Sequence, residues 1–458
     1  MIRVATGLCA ALFALGSLDA LSAESAPDLQ QRTLSNGLQV VVKIDRRAPV
    51  AVSMLWYRVG SIDEVNGRTG LSHMLEHMMF KGTREVPAGE FSRTIARAGG
   101  RANAFTSRDQ TVYHESMHKS GYPLALRLEA DRMANLALAP DEFAKELRVV
   151  MEERRQRIED NAHALLEEQL LAAALIANPA RTPIVGWMDD LEHMTVEDAR
   201  GWYRTWYAPD NAMLVVAGDV DPEQVFTFAE RHFGPIPART LPERKEQKEP
   251  PQRGMRHIVV KAPADLPHVA LAYRVPALRS LDNDWEPFAL SILSGVLDGY
   301  DAARLIRELV KTSRVAQSVD TSYEIIGRGP GLFFVSGAPA GGHTVQEFEA
   351  AWREQLHKLL AEGVADDELK RAKAQVVAAH VYQQDSIFAQ ASQIGRLWIV
   401  GLPYDAGPAI LRKLQAVTAA QVRDVARKYL VDDNLTIAEL DPQPVDPNRA
   451  RRPRDARR

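Results

Sequence analysis

The sequence predicts an α+β fold made of two duplicated domains, each an antiparallel β-sheet covered by α-helices. Three observations carry this. First, β-branched and aromatic runs alternate with long helical segments, but without the even spacing of β-α-β units, which argues against a doubly wound parallel sheet. Second, a whole unit recurs. Thr195 opens an amphipathic helix that leads through Asp210-Asn211 into an apolar strand, and Thr418 does the same through Asp433-Asn434, both pairs at an offset of 223. Third, the domain openings match, Pro49-Val50-Ala51-Val52 to Val59 paralleling Pro267-His268-Val269-Ala270 to Val275.

Taken in order, the chain opens with a short positive segment, Met1-Ile2-Arg3, an apolar run to Leu18 and a small-residue site at Ala20-Leu21-Ser22-Ala23. Residues 1–23 therefore read as a cleaved signal peptide, too short for a membrane span, and they point to the periplasm. Cys9, the only cysteine, lies inside that segment. The mature chain then has no disulfide, thiolate ligand or cysteine nucleophile. Residues 24–235 form the first domain, 236–254 a solvated connector rich in Pro, Lys, Glu and Arg, and 255–445 the second domain. Residues 446–458 read as a disordered basic tail, with a tether to anionic lipid or a partner as the second reading. With 46% hydrophobic and 25% charged residues the composition is that of a globular protein, and a net charge of −4 gives no case for nucleic acid.

Chemistry concentrates at His73-Met74-Leu75-Glu76-His77. Imidazoles four apart stack on one helix face with a carboxylate beside them, the H-x-x-E-H order of a metal site with a base at hand. The flanks hold no Gly, Pro or β-branched residue until Gly82, so the segment is helical, with Leu71, Leu75, Met78 and Met79 as its buried stripe. A third ligand has to come from another element. The segment Asp141–Arg155 reads as one helix on which Glu146 and Glu153, seven apart, share a face, while Glu152 points about 100° away from Glu153. Spacing alone leaves two readings of these acids: metal ligands, or i,i+4 partners of Lys145, Arg148, Arg154 and Arg155. A second zinc-like pattern, His114-Glu115-Ser116-Met117-His118, follows Thr111-Val112-Tyr113 and ends at the turn Lys119-Ser120-Gly121, which makes it a strand. Residues four apart on a strand are separated by about 13 Å, too far to share one zinc ion.

The chain resembles the pitrilysin and mitochondrial processing peptidase family of zinc metallopeptidases. In that family the H-x-x-E-H helix is followed by a distant liganding Glu with an accessory Glu seven residues before it. Here Glu153 lies 76 residues after His77, and Glu146 seven before Glu153. Gly70-Leu71-Ser72-His73, Lys81-Gly82-Thr83, Gly99 to Thr106 and Pro183 to Leu191 extend the resemblance over nearly the whole mature chain. It implies one zinc per chain, held by His73, His77 and Glu153, with Glu76 as general base and Glu146 ordering the site. It also implies that Asn103, Ala104 and Phe105 belong to an edge strand to which an extended peptide adds; read alone, Asn103 is equally an ordinary turn residue.

The second copy reads Leu293-Ser294-Gly295-Val296-Leu297-Asp298-Gly299 where the metal helix should recur, and it has no His. The larger members of the family place an Arg and a Tyr in that half near the scissile bond; by eye, Phe333 and the neighbourhood of Thr344 stand there in this chain. The expectation is a zinc-dependent endopeptidase acting on extended peptides, completed by a non-catalytic homologous subunit or a second copy. Two other readings are a non-catalytic scaffold subunit and a peptide-binding protein with structural zinc; three protein ligands beside a base favour an open, catalytic site.

Overall fold

The computed structural model describes residues 28–245 and 247–444; the signal-peptide and basic-tail expectations fall outside them. The first half runs β1 (Leu29–Thr33), β2 (Gln39–Ile44), β3 (Val50–Tyr57), α1 (Leu71–Met78), α2 (Glu90–Arg97), β4 (Arg101–Thr106) and β5 (Thr111–His118). It continues with α3 (Tyr122–Asn135), α4 (Pro140–Arg154), α5 (Ala162–Ala174), α6 (Met188–His193), α7 (Val196–Trp206), β6 (Ala212–Gly218) and α8 (Pro222–Phe233). The second half contains β7 (Arg256–Pro263), β8 (His268–Val275), α9 (Glu286–Asp298), β9 (Ala316–Tyr323) and β10 (Gly331–Pro339). It closes with α10 (Val345–Glu362), α11 (Asp366–Gln384), α12 (Ile387–Ile399), α13 (Gly407–Ala416), α14 (Ala419–Tyr429) and β11 (Leu435–Gln443).

The two halves have one topology. The sheets run β1-β2-β6-β3-β5-β4 and β7-β11-β8-β10-β9. Each is antiparallel except for one pair, β2 with β6 and β7 with β11, which run parallel. That departs from the all-antiparallel expectation for a physical reason. β6, fully buried along its length, lies between β2 and β3 and carries the continuous apolar run of a strand covered on both faces. The repeated unit has the same local chemistry in both copies. Thr195 and Thr418 each cap their helix and form a capping box. Asn211 and Asn434 each donate from the side chain to the carbonyl five residues back, Trp206 and Tyr429, at 2.8 and 3.1 Å.

One face of each sheet packs on helices of its own half. The other face is covered by a helix from the opposite half. Ala391, Ile394 and Ile399 of α12 close over Val52, Met54, Trp56 and Val215 of the first sheet. Leu166 and Leu170 of α5 close over Val260, Ala270, Ala272 and Leu440 of the second. The α12 contact is tight: a Cβ on Gly395 would stand 2.0 Å from the Trp56 ring.

The connector holds no helix or strand among its described residues, and it is docked at several points rather than solvated. Arg244 donates to Asp63 at 3.0 Å and to Asn211 at 3.1 Å, and Glu249 accepts the backbone N–H groups of Ile176, Ala177 and Asn178 at 2.8–2.9 Å. The loop N–H groups between α5 and Pro179 need an acceptor, and a charged connector supplies one.

Candidate metal centre

The metal helix is set by its N-terminus. Gly70, the N-cap of α1, has φ of 86°, and a Cβ there would meet the Val185 carbonyl at 2.4 Å. Gly186, at φ of 91°, makes the reciprocal approach to Thr69. Two segments far apart in sequence thus touch where neither tolerates a side chain. The buried Glu64 carboxylate accepts the N–H groups of Gly70 and Ser72, both at 2.7 Å, and satisfies the first turn. Burial pushes Glu64 up to about 7, against the pull of those two donors. Asp190 accepts from the Thr69 backbone at 3.1 Å and hydroxyl at 2.5 Å. Leu71, Met74, Leu75, Met78 and Met79 are buried, so the helix can turn His73, Glu76 and His77 away from that core face.

α4 supplies the acids. Ligand atoms of His73, His77 and Glu153 all lie within 4.8 Å of one another. Glu153 Oε2 is 3.7 Å from His73 Nε2 and 3.3 Å from His77 Nε2. His77 Nδ1 meets Glu146 at 2.9 Å, which orients the ring, and the other Glu146 oxygen takes Lys81 at 2.6 Å. Glu153 holds Arg157 with its second oxygen at 2.8 Å. Burial holds His73 down at about 4, as a neutral imidazole. Burial opposes charge on His77 too, but Glu146 and Glu153 outweigh it and raise it to about 9. Two imidazoles and a carboxylate converging with a fourth side open suit a divalent ion such as zinc.

Glu76 lies beside them. Its carboxylate accepts the Thr106 hydroxyl at 2.5 Å, and burial raises its pKa above the usual range. β4, which carries Thr106, is the outer strand of its sheet, with Asn103 exposed and Ala104 and Phe105 half-buried. Asn103 to Thr106, the metal-site side chains, Arg108 and Arg181 all border one cavity of 1030 Å³. The structure therefore brings together every site residue the sequence indicated.

It also gives contacts to residues that the sequence left without a role, although Lys81 and Thr106 lie in stretches that carry the family resemblance. Thr106 has a signal in retrospect, since strand alternation puts it on the face of Ala104; Arg157 has the i,i+4 spacing from Glu153. Nothing in the sequence points to the partners of Lys81 and Glu64, because only the folded chain brings them to Glu146 and to the start of α1. Arg154 is buried rather than on the surface: it makes a two-bond pair with Glu168 of α5, at 2.9 and 3.0 Å, and its Nε lies 3.4 Å from Glu159. Two of the acids do pair locally, but at i,i+3 rather than i,i+4, as Glu142–Lys145 and Glu152–Arg155.

The second zinc-like pattern is on β5, as expected. Its Glu115 points into the core against Arg132 (3.5 Å) and Ser53 (2.7 Å), while His114 and His118 lie on the opposite sheet face. In the second half, Phe333 is buried in the core and Thr344 caps α10, so neither borders the metal cavity. On α9, Ser294 and Asp298 are both bonded to Thr321 of β9.

Fold and site together define a duplicated architecture with a candidate metal site in its first half among the described residues. Residues 39–186 match the family described as insulinase, peptidase family M16, and residues 193–376 match the peptidase M16 inactive domain. The chain belongs to peptidase family M16. It is 35% identical over 340 residues to the zinc protease PqqE of Helicobacter pylori, covering 72% of this chain and 75% of that one. The mitochondrial-processing peptidase subunit beta of Lentinula edodes is 26% identical over 429 residues, 90% of each chain. A crystal structure of a protease from Helicobacter pylori superimposes with a TM-score of 0.86 at 29% identity, covering 91% of this chain and all of that one.

Proposed function

We propose that the protein is a zinc-dependent endopeptidase for extended peptides or unfolded segments. The observation that carries this is the convergence of His73, His77 and Glu153 within 4.8 Å, with Glu76 alongside and the outer edge of β4 bordering the same cavity. A zinc ion bound there supplies a Lewis acid for the scissile carbonyl and an acidified water. Glu76, with its raised pKa, takes the proton from the attacking water and returns it to the leaving nitrogen. Thr106 holds the Glu76 carboxylate in place, and Glu146 fixes the His77 ring. The exposed backbone of Asn103, Ala104 and Phe105 receives the peptide as an added strand, which selects extended chains over folded ones.

The signal-like first 23 residues support a periplasmic enzyme. No described helix is long and apolar enough to cross a membrane. Because Phe333 and Thr344 are turned away from the cavity, a partner is assigned to complete it, either a non-catalytic homologous subunit or a second copy. The test is Glu76→Gln: metal content stays at one ion per chain while peptide cleavage falls by at least about a hundredfold. Retained hydrolysis would sink the assignment of Glu76 as base.

A further inference from the structure

A second cavity, of 670 Å³, shares Arg181 with the metal cavity and lies where the first half, the connector and the second half meet. Its lining brings six cationic side chains together with three acidic ones, Asp63, Glu64 and Glu243. Two of those acids are already committed. Asp63 accepts from Gly60 N at 3.0 Å, Arg244 at 3.0 Å and Arg328 at 2.6 and 2.8 Å, and Glu64 is bonded to the α1 N-terminus.

Arg244 and Arg328 share Asp63, and Arg279 is bonded to four backbone carbonyls, which leaves Arg58 and Arg181 as the half-buried cations short of a partner. Arg58 is half-buried and fixed by one bond, Nε to the Ile399 carbonyl at 2.8 Å; among the described residues its terminal amino groups have no acceptor. Arg181 is half-buried and makes no side-chain hydrogen bond or ion pair among the described residues. Burial and the neighbouring Arg328 and Arg244 guanidiniums lower the pKa of Arg58, the signature of positive charge short of a counterion. Such a charge is costly in a half-dry site and is relieved by an anion with several acceptor oxygens.

We propose that this junction binds a phosphate-type oxyanion, with Arg58 and Arg181 as direct donors and Arg244 and Lys245 adding to the field. The volume exceeds that of a single phosphate group, so a free phosphate and a phosphomonoester are both accommodated. The site goes beyond peptide hydrolysis and does not depend on it. Its occupant bears on the metal helix all the same, because Asp63 directly precedes Glu64, the residue that caps α1.

The experiment uses the chelator-treated, metal-free protein, so that phosphate cannot report on the metal centre. Orthophosphate and glycerol 3-phosphate are titrated separately at constant ionic strength set with sodium chloride, and calorimetry and thermal unfolding are followed. Saturable binding at one site and a Tm rise of about 2 °C or more are expected. Tighter orthophosphate identifies the free ion as the ligand, and tighter glycerol 3-phosphate identifies a phosphomonoester. Arg58→Gln weakens binding by about tenfold or more. Arg181→Gln, which removes no side-chain hydrogen bond or ion pair among the described residues, does so without lowering the phosphate-free Tm. Equal stabilisation by chloride, or wild-type phosphate binding in both variants, overturns the proposal.

Discussion

At the scale of single residues, the centre combines side chains that spacing makes legible with others that only folding brings in. His73, Glu76 and His77 are readable because a helix fixes i,i+4 geometry, and Glu146 and Glu153 because two turns return to one face. Thr106, Lys81 and Arg157 complete the arrangement through contacts that carry no motif. Glu146 is the residue whose role they sharpen, since it joins His77 at 2.9 Å to Lys81 at 2.6 Å. Replacing it with Gln should weaken metal affinity by about 10- to 100-fold, read by competition with a chromogenic chelator. His114→Ala should leave metal content untouched, while His73→Ala should lose it; full metal retention in the His73 variant would transfer the site elsewhere.

At the scale of elements, close backbone approaches decide what can be substituted. Gly186→Ala forces a Cβ to 2.6 Å from the Thr69 carbonyl at a positive φ. The expected cost is about 1–3 kcal/mol in denaturant unfolding, accompanied by lower metal occupancy because α1 loses its seat. Gly395→Ala should destabilise by at least as much without altering metal stoichiometry, because its clash is with Trp56 across the α12 contact. The strands, the α4 helix and the duplicated Thr-capped unit were legible, since each rests on local pattern. The parallel pairs β2·β6 and β7·β11 were not, because a buried apolar run shows that a strand is central but not which way its neighbour points. The connector misled for a related reason: Arg244 and Glu249 look like solvent residues until the groups that need them are in place.

At the scale of the whole molecule, the two halves meet at a pair of histidines. His268 at the start of β8 packs edge to face with His163 of α5, ring centres 4.6 Å apart, and the charge of Asp320 pulls its pKa upward. Burial, and after it His163, hold His268 down at about 4, below its unfolded value near 6.5. The folded state thus binds fewer protons than the unfolded one between those values. The contribution is complete above about pH 6.5 and is lost as pH falls towards 4. Thermal unfolding between pH 7 and 4 should show a steeper loss in the native protein than in His268→Gln; parallel curves would remove the contact from the account. The crossed helices have a consequence for synthesis. A ribosome that has finished the first sheet has made about half the protein, yet the helix that covers that sheet's outer face ends only at Ile399. Until then Val52, Met54, Trp56 and Val215 line an uncovered apolar surface, so a chain truncated at residue 245 should aggregate, and the nascent chain needs a chaperone for the interval.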